Sequence, residues 1–252
     1  MLQTRVMPCL LLRGRALVKT IRFKDAKYVG DPVNTIRIFN EKEVDELIFL
    51  DITATPQRKE PPYALIEEIA AECFMPFTYG GGVQSVEQMQ RLYSLGVEKI
   101  ALNSAALANP SLIQHAAERF GSQSVVVAID AKKTWRGYRV MSHGGRTKTK
   151  RTPVDWAREA ERLGAGEILL TSIDRDGTMT GYDLALTESV AAAVQVPVIA
   201  CGGAGAVEDF ARAVQDAGAS AAATGSLVVY QGPHRAVLIN FPARDELEAV
   251  LA

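Results

Sequence analysis

Two glycine clusters, one in each half of the chain, are the residues best suited to bind an anion. YGGGVQSVEQ covers residues 79–88, and ACGGAGAVED covers residues 200–209. Each follows an apolar run and precedes a segment with helical spacing, so its backbone N–H groups would lie at a helix N-terminus, where phosphate binds. The alternative is that the glycines only form tight loops. The pattern predicts two phosphate sites, Gly81-Gly82 with Asn103-Ser104 and Gly202-Gly203 with Gly225-Ser226.

Composition and charge exclude several classes of protein. The chain has 252 residues, 48% of them hydrophobic, and a formal net charge of -1, which offers no overall attraction to nucleic acid or to an anionic membrane. No apolar run approaches the ~18 residues that a membrane span needs, and the first residues are too interrupted for a signal peptide. We therefore expect a cytoplasmic protein. Cys9, Cys73 and Cys201 form no CxxC motif and the histidines show no ligand spacing, so we expect no disulfide, metal or other cofactor.

Short apolar runs alternate with amphipathic segments along the whole chain. Helix starts are indicated where a capping side chain precedes a proline, at Asp31-Pro32, Asn109-Pro110 and Thr152-Pro153. This alternation predicts an α/β protein, a single (β/α)8 TIM barrel domain over residues 1–252. A doubly wound open sheet is the alternative, but it usually has fewer strands. The strand candidates are residues 6–11, 47–51, 76–79, 99–102, 125–130, 168–171, 197–201 and 221–224.

The similarity between the two halves extends beyond the glycines. DELIFLDITAT, residues 45–55, resembles GEILLTSIDRDGT, residues 166–178. VEKIALNSAAL, residues 97–107, occupies the place of ASAAATGSLVV, residues 219–229. The four strand–helix units of the first half therefore correspond to the four units of the second half, which predicts a half-barrel internal duplication. Two equivalent phosphate sites on one barrel indicate a long ligand with a phosphate at each end.

Several long motifs resemble a known family. GDPV, DELIFLDITAT, GSQSVVVAIDAK, GAGEILLTSIDRDGT and IACGGAG resemble the cyclase subunit of imidazole glycerol phosphate synthase, from Arg5 to about Tyr230. The resemblance implies a (β/α)8 barrel that receives ammonia from a separate glutaminase subunit through its interior. The ammonia would be added to a bisphosphorylated, nucleotide-like substrate, which is then cleaved and cyclised in histidine biosynthesis. Such a chain is the lyase subunit of a glutamine amidotransferase and a partner in a heterodimer.

The resemblance assigns roles to individual residues. Asp130 ends the strand candidate VVVAID and matches a catalytic carboxylate that handles protons during ring closure. The alternative is that Asp130 is a helix cap or a structural acid. The positions that match the substrate pocket are Lys19, Asp51, Asn103, Thr171 and Asp176. The positions that match phosphate contacts are Gly82, Asn103, Ser104, Gly177, Gly203, Gly225 and Ser226.

One departure from the family bears on the reaction. The first strand reads VMPCLLLRGR, and Leu11 stands where the family has its other catalytic aspartate. The internal repeat indicates the same, because aligning PCLLL with VAIDA sets Leu11 opposite Asp130. A leucine moves no proton, and losing one member of an acid–base pair lowers a rate by about 10²- to 10⁴-fold. We therefore expect the cyclisation to be impaired.

A paralogous branch of the family, found with surface-polysaccharide genes, shares these departures. PCLLL, LVKT, KYVGDPVNTIRIFNEKEVDEL and HRAVLINFP are the stretches that resemble it. In that branch the barrel and its glutaminase deliver ammonia to a third, ATP-using protein that amidinates a sugar. The resemblance implies such a third component as a partner of this chain.

Four charged residues stand at the starts of strands one, two, four and six. They are Arg5, Glu46, Lys99 and Glu167. Two cations and two anions there would close the barrel floor as a ring, and they match the family's gate between glutaminase and channel. The alternative is an ordinary salt-bridge plug, although charges inside a barrel need compensation that an apolar plug would not. We expect the glutaminase to bind this N-terminal face, with Glu98 and Lys99 near the contact.

The basic stretch GGRTKTKR, residues 144–151, follows a predicted hairpin around residues 135–141. We interpret it as a solvated loop without a catalytic role. Three functions remain open for the chain. They are an amidotransferase synthase subunit, a non-catalytic barrel that conducts ammonia and binds partners, and a stand-alone sugar-phosphate isomerase. Leu11 argues against the isomerase, which needs paired carboxylates on strands one and five.

Overall fold

The eight strand candidates form one closed parallel barrel, which confirms the predicted fold class. The computed structural model describes residues 4–251, and residues 1–3 and 252 of the predicted domain lie outside that range. The barrel order is β1-β4-β5-β6-β7-β10-β11-β12, and parallel pairing of β12 with β1 closes it. The strands are β1 (Arg5–Arg13), β2 (Ala16–Ile21), β3 (Lys24–Gly30), β4 (Leu47–Asp51), β5 (Phe77–Gly80), β6 (Lys99–Leu102), β7 (Val125–Thr134), β8 (Gly137–Ser142), β9 (Thr147–Lys148), β10 (Glu167–Ser172), β11 (Val198–Cys201), β12 (Ala221–Thr224), β13 (Tyr230–Gln231) and β14 (Ala236–Val237).

Two of the three predicted helix starts are confirmed. The Asp31 carboxylate accepts a hydrogen bond from the Asn34 N–H at 3.0 Å, and Thr152 caps its helix in the same way. The helix start predicted at Asn109-Pro110 is wrong by one residue, because the helix begins at Ser111. The Asn109 amide oxygen accepts instead from the Ser111 hydroxyl. The helices are α1 (Pro32–Glu41), α2 (Tyr63–Glu72), α3 (Val86–Ser94), α4 (Ser104–Ala108), α5 (Ser111–Phe120), α6 (Pro153–Arg162), α7 (Leu184–Ala191), α8 (Glu208–Ala211) and α9 (Arg244–Leu251).

Alternate side chains of each barrel strand point to opposite sides of the sheet. On β1, Val6, Leu10 and Leu12 join the outer core beneath the helices. Met7 and Cys9 join a separate inner core with residues of the other barrel strands. The same alternation places position 11 of β1 and position 130 of β7 on the inward side, at the carboxyl ends of their strands.

Two hairpins extend from the carboxyl end of the barrel. β7 continues into β8 through a turn at Trp135 and Arg136, which confirms the hairpin predicted there. A second hairpin, β2 with β3, follows β1 and had no counterpart in the sequence analysis. Its turn residues Arg22 and Phe23 have φ of 52° and 62°, a conformation usually signalled by glycine or asparagine. Arg22-Phe23 contains neither glycine nor asparagine, so this hairpin could not be predicted from its turn residues.

The C-terminal segment closes over one side of the barrel. Phe241 packs edge-to-face on Phe39 of α1, with ring centroids 6.4 Å apart. The Arg235 guanidinium donates to the carbonyls of Gly177 and Thr178, which joins the β13–β14 hairpin to the loop after β10. Across residues 4–251, the helices are all too short or too polar to cross a membrane.

Candidate functional site

All twelve residues matched to catalysis, substrate or phosphate lie at the carboxyl end of the barrel. They line two adjoining cavities of about 190 and 20 Å³ that share Cys9, Leu11, Asp176 and Cys201. Loops following strands converge there, which is where chemistry sits in this fold. The larger cavity holds Asp51, Gly82, Asn103, Ser104, Asp130, Thr171 and Asp176, and the smaller one holds Lys19, Asp176, Gly177, Gly203, Gly225 and Ser226.

The glycine pairs have the same backbone form in both halves. Gly81 and Gly82 follow β5 with φ of 122° and 74°, and Gly202 and Gly203 follow β11 with φ of 87° and 122°. A Cβ on Gly203 would lie 2.2 Å from the Gly181 carbonyl oxygen. Packing therefore requires glycine at this position whether or not an anion binds, so the glycines alone do not decide between the two interpretations.

Polar side chains in the smaller cavity are better evidence for a ligand. Lys19 is buried, its Nζ donates to the Cys9 carbonyl at 2.8 Å, and a Cβ on Gly225 would lie 1.9 Å from that Nζ. Within residues 4–251 the buried Thr224 hydroxyl has no hydrogen-bond partner, but strand alternation places it on the outer side of β12 with Ala222, away from this cavity. A buried ammonium beside glycine N–H groups makes a suitable anion cradle.

Asp130 projects into the larger cavity with its carboxylate held on one side. The Asn103 amide donates to Asp130 Oδ2 at 3.2 Å and to the Ala128 carbonyl at 3.0 Å, which orients the pair. Burial, with a smaller contribution from the charge of Asp176, raises the pKa of Asp130 to about 7. A carboxyl group with this pKa can both accept and donate a proton near neutral pH.

Asp176 is another carboxylate of the cavity, beside Asp51 and Asp130. Burial raises its pKa, while Lys19 and a hydrogen bond from Thr20 oppose that shift. The Thr20 hydroxyl donates to Asp176 Oδ2 at 3.1 Å. Lys19 and Thr20 therefore stabilise the Asp176 carboxylate, whereas within residues 4–251 the Asp130 carboxylate accepts from the neutral Asn103 amide.

Leu11 occupies the wall between the two cavities. Its backbone pairs with Leu50 of β4 and Val18 of β2, and its side chain lines both cavities. The position where the resemblance places a carboxylate is thus an apolar surface that faces the same space as Asp130.

Other residues of the hairpins and loops also line the larger cavity and were missed in the sequence, and three of them bear on the mouth. They are Thr20, Phe23 and Arg146. Arg146 belongs to the stretch interpreted as a solvated loop; it is exposed, as that interpretation expects, and it also borders the cavity. A Cβ on Gly145 would lie 3.0 Å from the Phe23 ring, so the β2–β3 turn contacts the loop after β8 above the mouth. The sequence shows that Arg146 is a cation. Its position over the mouth depends on the β2–β3 hairpin, which the sequence did not predict.

The four charges at the opposite end of the barrel form a closed ring. Arg5 contacts Glu46 at 2.8 Å and Glu167 at 2.7 Å. Lys99 contacts the same two carboxylates at 3.0 and 3.1 Å. Burial alone would lower the pKa of Arg5, but the two glutamates outweigh it and raise that pKa. Each charge thus has two opposite neighbours, which compensates its desolvation.

Apolar side chains fill the barrel between the ring and the cavities. Several are small, including Ala101, Ala128, Ala221 and Ala223, with Met7 among the larger ones. No cluster of three or more His, Cys, Asp or Glu that could hold a metal ion occurs in the described part of the chain. The side chains that border the mouth supply carboxylate, ammonium, guanidinium, hydroxyl, amide and thiol groups beside the backbone N–H groups.

Comparison with known proteins agrees with this arrangement. The family model described as "Histidine biosynthesis protein" matches residues 5–234. The chain is 55% identical over 249 residues to a Pseudomonas aeruginosa protein named provisionally as imidazole glycerol phosphate synthase subunit hisF2, over 98% of this chain and 99% of that protein.

Two further relatives extend the comparison. A Leptospira borgpetersenii protein, also named provisionally as subunit HisF, is 50% identical over 252 residues, covering 99% of both chains. The imidazole glycerol phosphate synthase subunit HisF of Halalkalibacterium halodurans is 48% identical over 233 residues, covering 92% of both chains. The chain therefore belongs to the histidine biosynthesis protein family, as a HisF-like relative of the cyclase subunit of imidazole glycerol phosphate synthase.

Proposed function

We propose that this chain is the synthase subunit of a glutamine amidotransferase, which takes ammonia through the barrel floor and uses it on a substrate with two phosphates. The observation that carries the proposal is the placement of two equivalent glycine–serine sites on one mouth, with a charged ring at the opposite end. An elongated bisphosphate would span the mouth from the Ser104 side to the Ser226 side. Asp130 would then face the middle of the substrate, where bonds are made and broken.

The two proposed phosphate positions should differ in their affinity for phosphate. On the Ser226 side, Lys19 supplies a buried positive charge. On the Ser104 side, the Ser104 hydroxyl already accepts from the His143 N–H at 2.8 Å, and Arg146 is the cation that lines the cavity. We therefore assign the tighter of the two phosphates to the Ser226 side.

The ammonia path is supported by what lies along the barrel axis. Neutral ammonia could leave a glutaminase at the ring of Arg5, Glu46, Lys99 and Glu167 and pass the small inner residues to reach Asp130. Lys99 is the member of the ring with a flexible, unbranched side chain, so its displacement is the simplest way to open the floor. The relatives are named as subunits, which agrees with a partner at this face.

Leu11 favours a second candidate, in which the cyclisation is lost and the ammonia serves another protein. An acid–base reaction with one carboxylate removed is slow, yet the chain has every residue proposed for the ring and for the two phosphate sites. The structure of the mouth thus fits a barrel that binds a phosphorylated molecule and delivers ammonia, with a third protein as the site of the final reaction. Amidination of a sugar in surface-polysaccharide synthesis is the proposed use.

Calorimetry with the family's bisphosphorylated substrate tests the shared part of both candidates. Ser226→Asp and Ser104→Asp each place a carboxylate where a phosphate should bind, and each should weaken binding at least 100-fold by charge repulsion. Ser220→Asp, on an exposed residue at the opposite end of β12, is the matched control and should leave the affinity unchanged. If the native chain bound no substrate, or if only one of the two site variants had an effect, the bisphosphate proposal would be wrong.

A further inference from the structure

Two segments at the mouth contain an excess of positive charge. Residues 132–151 contain eight Lys or Arg and no Asp or Glu, and residues 13–30 contain six Lys or Arg and one Asp. Together these segments, called here the basic rim, hold 14 of the chain's 28 cations and one of its 29 anions. The rest of the molecule is therefore acidic, although the net charge of the chain is close to zero.

The basic rim is a continuous surface. Phe23 of the first segment lies against Gly145 of the second, and the loop after β10 joins them. Its Asp174 accepts from the Lys133 N–H through the carboxylate and from Arg22 through the carbonyl. Within residues 4–251, Arg151 is the one cation of residues 132–151 that has an ion pair, with Glu159. Most of the positive charge is left facing solvent.

Large apolar side chains stand exposed on the same surface. Trp135, at the tip of the β7–β8 hairpin, is 85% exposed and lies 4.2 Å from the Arg136 guanidinium. Tyr28 on β3 is 68% exposed, and Val237 and Leu238 are half-exposed beside Arg235. Substrate attraction would explain cations at the mouth, but it gives no reason for a tryptophan held in water at a hairpin tip. Tryptophan and arginine are the residues that dominate protein interfaces.

We propose that the basic rim docks a partner protein whose contact surface is acidic and contains an apolar pocket for Trp135. Charge complementarity identifies the occupant, because an acidic surface is both attracted to the rim and repelled by the rest of this chain. The inference goes beyond the proposed function, since it would stand even if no ammonia passed through the barrel. It leaves the opposite face, with the charged ring, free for a glutaminase.

Two other occupants fit less well. A second copy of this chain would bring one basic rim against another, and like charges repel. Nucleic acid would be attracted by the cations, but the aliphatic side chains Val237 and Leu238 have no role on a phosphate backbone, whereas the core of a protein interface is apolar. A partner protein accounts for the charge and for the apolar side chains together.

Photo-crosslinking in the native host identifies the occupant. The photoreactive residue p-benzoylphenylalanine replaces Trp135 in one strain and Phe74 in another, because Phe74 is equally exposed, at 85%, on the opposite face. Position 135 should capture a protein that position 74 does not capture. The purified captured protein is then titrated by calorimetry with the native chain, a Lys148→Glu/Lys150→Glu variant and an Arg162→Glu control on the helical side.

The charge-reversed variant should bind at least 10-fold more weakly, Trp135→Ala should do the same, and the Arg162→Glu control should match the native chain. The native affinity should also fall as salt concentration rises. Circular dichroism checks that each variant is folded. Crosslinking of nucleic acid, of the glutaminase or of no protein at position 135 would overturn the proposal, as would equal affinities of the native and charge-reversed chains.

Discussion

Leu11 is the residue on which the choice between the two candidate functions depends. Since Asp130 is left without a second proton-transfer group on β1, ammonia-dependent cyclisation of the histidine-pathway substrate should run about 10²- to 10⁴-fold below an ordinary enzyme rate of roughly 1 to 10³ per second. Leu11→Asp should recover part of that loss. Leu11→Asn introduces a side chain of the same shape as aspartate that accepts no proton, so it should not recover activity. A native turnover within the ordinary range would make histidine biosynthesis the function.

Asp130 should also make stability depend on pH. Its folded pKa of about 7 lies above the ordinary value of 3.8, so the unfolded chain gives up this proton more readily and the fold loses stability as pH rises from about 4 to 7. Asp130→Asn removes that loss. The variant should be more stable than the native chain by about 2 to 4 kcal/mol at pH 8.5 and equally stable near pH 4.

Urea unfolding of both chains at the two pH values measures this difference. Asp216→Asn is a matched control on an exposed carboxylate, and it should change stability little at either pH. A gain for Asp130→Asn that was equal at both pH values would mean that packing, rather than ionisation, sets the stability of this site.

The charged ring is the element whose stability should respond most to a single substitution. Glu46 is buried and accepts from Arg5, Lys99 and Thr78, so Glu46→Gln leaves two cations with one carboxylate. The expected loss is about 3 to 5 kcal/mol in the free energy of unfolding. Glu68→Gln breaks the exposed ion pair with Arg15 and should lose less than about 1 kcal/mol. Equal losses in urea unfolding would show that the ring is not desolvated.

The barrel strands were the elements best predicted from sequence. Short apolar runs predicted all eight of them, although β1 and β7 extend beyond the predicted ends. Asp130 and Glu167 followed from their place on a strand. Phe23 and Arg146 did not, because their positions depend on two hairpins meeting across the mouth, and the Arg22-Phe23 turn has no residue that marks it. Long-range contacts of this kind leave no local pattern.

At the scale of the whole molecule, the two faces should bind different proteins. Glu98 and Phe74 lie in loops on the face of the charged ring, and the Phe74 ring is 85% exposed. Glu98→Lys and Phe74→Ala should each weaken binding to the cognate glutaminase at least 10-fold. Trp135→Ala should leave that affinity unchanged, since it lies at the opposite end. Calorimetry measures all three, and no binding by the native chain would remove the ammonia path.

The segregation of charge also gives the mouth of the barrel a positive potential, while the rest of the chain carries an excess of negative charge. In low salt, an approaching protein would be turned toward one end before any contact forms, so partners of opposite charge would be sorted during diffusion rather than after collision. The glutaminase and the acidic partner would not compete for one surface, so a complex of all three proteins could form with either partner binding first. Such sorting would weaken above about 0.15 M salt, where the screening length falls below about 8 Å, while contacts already formed would persist.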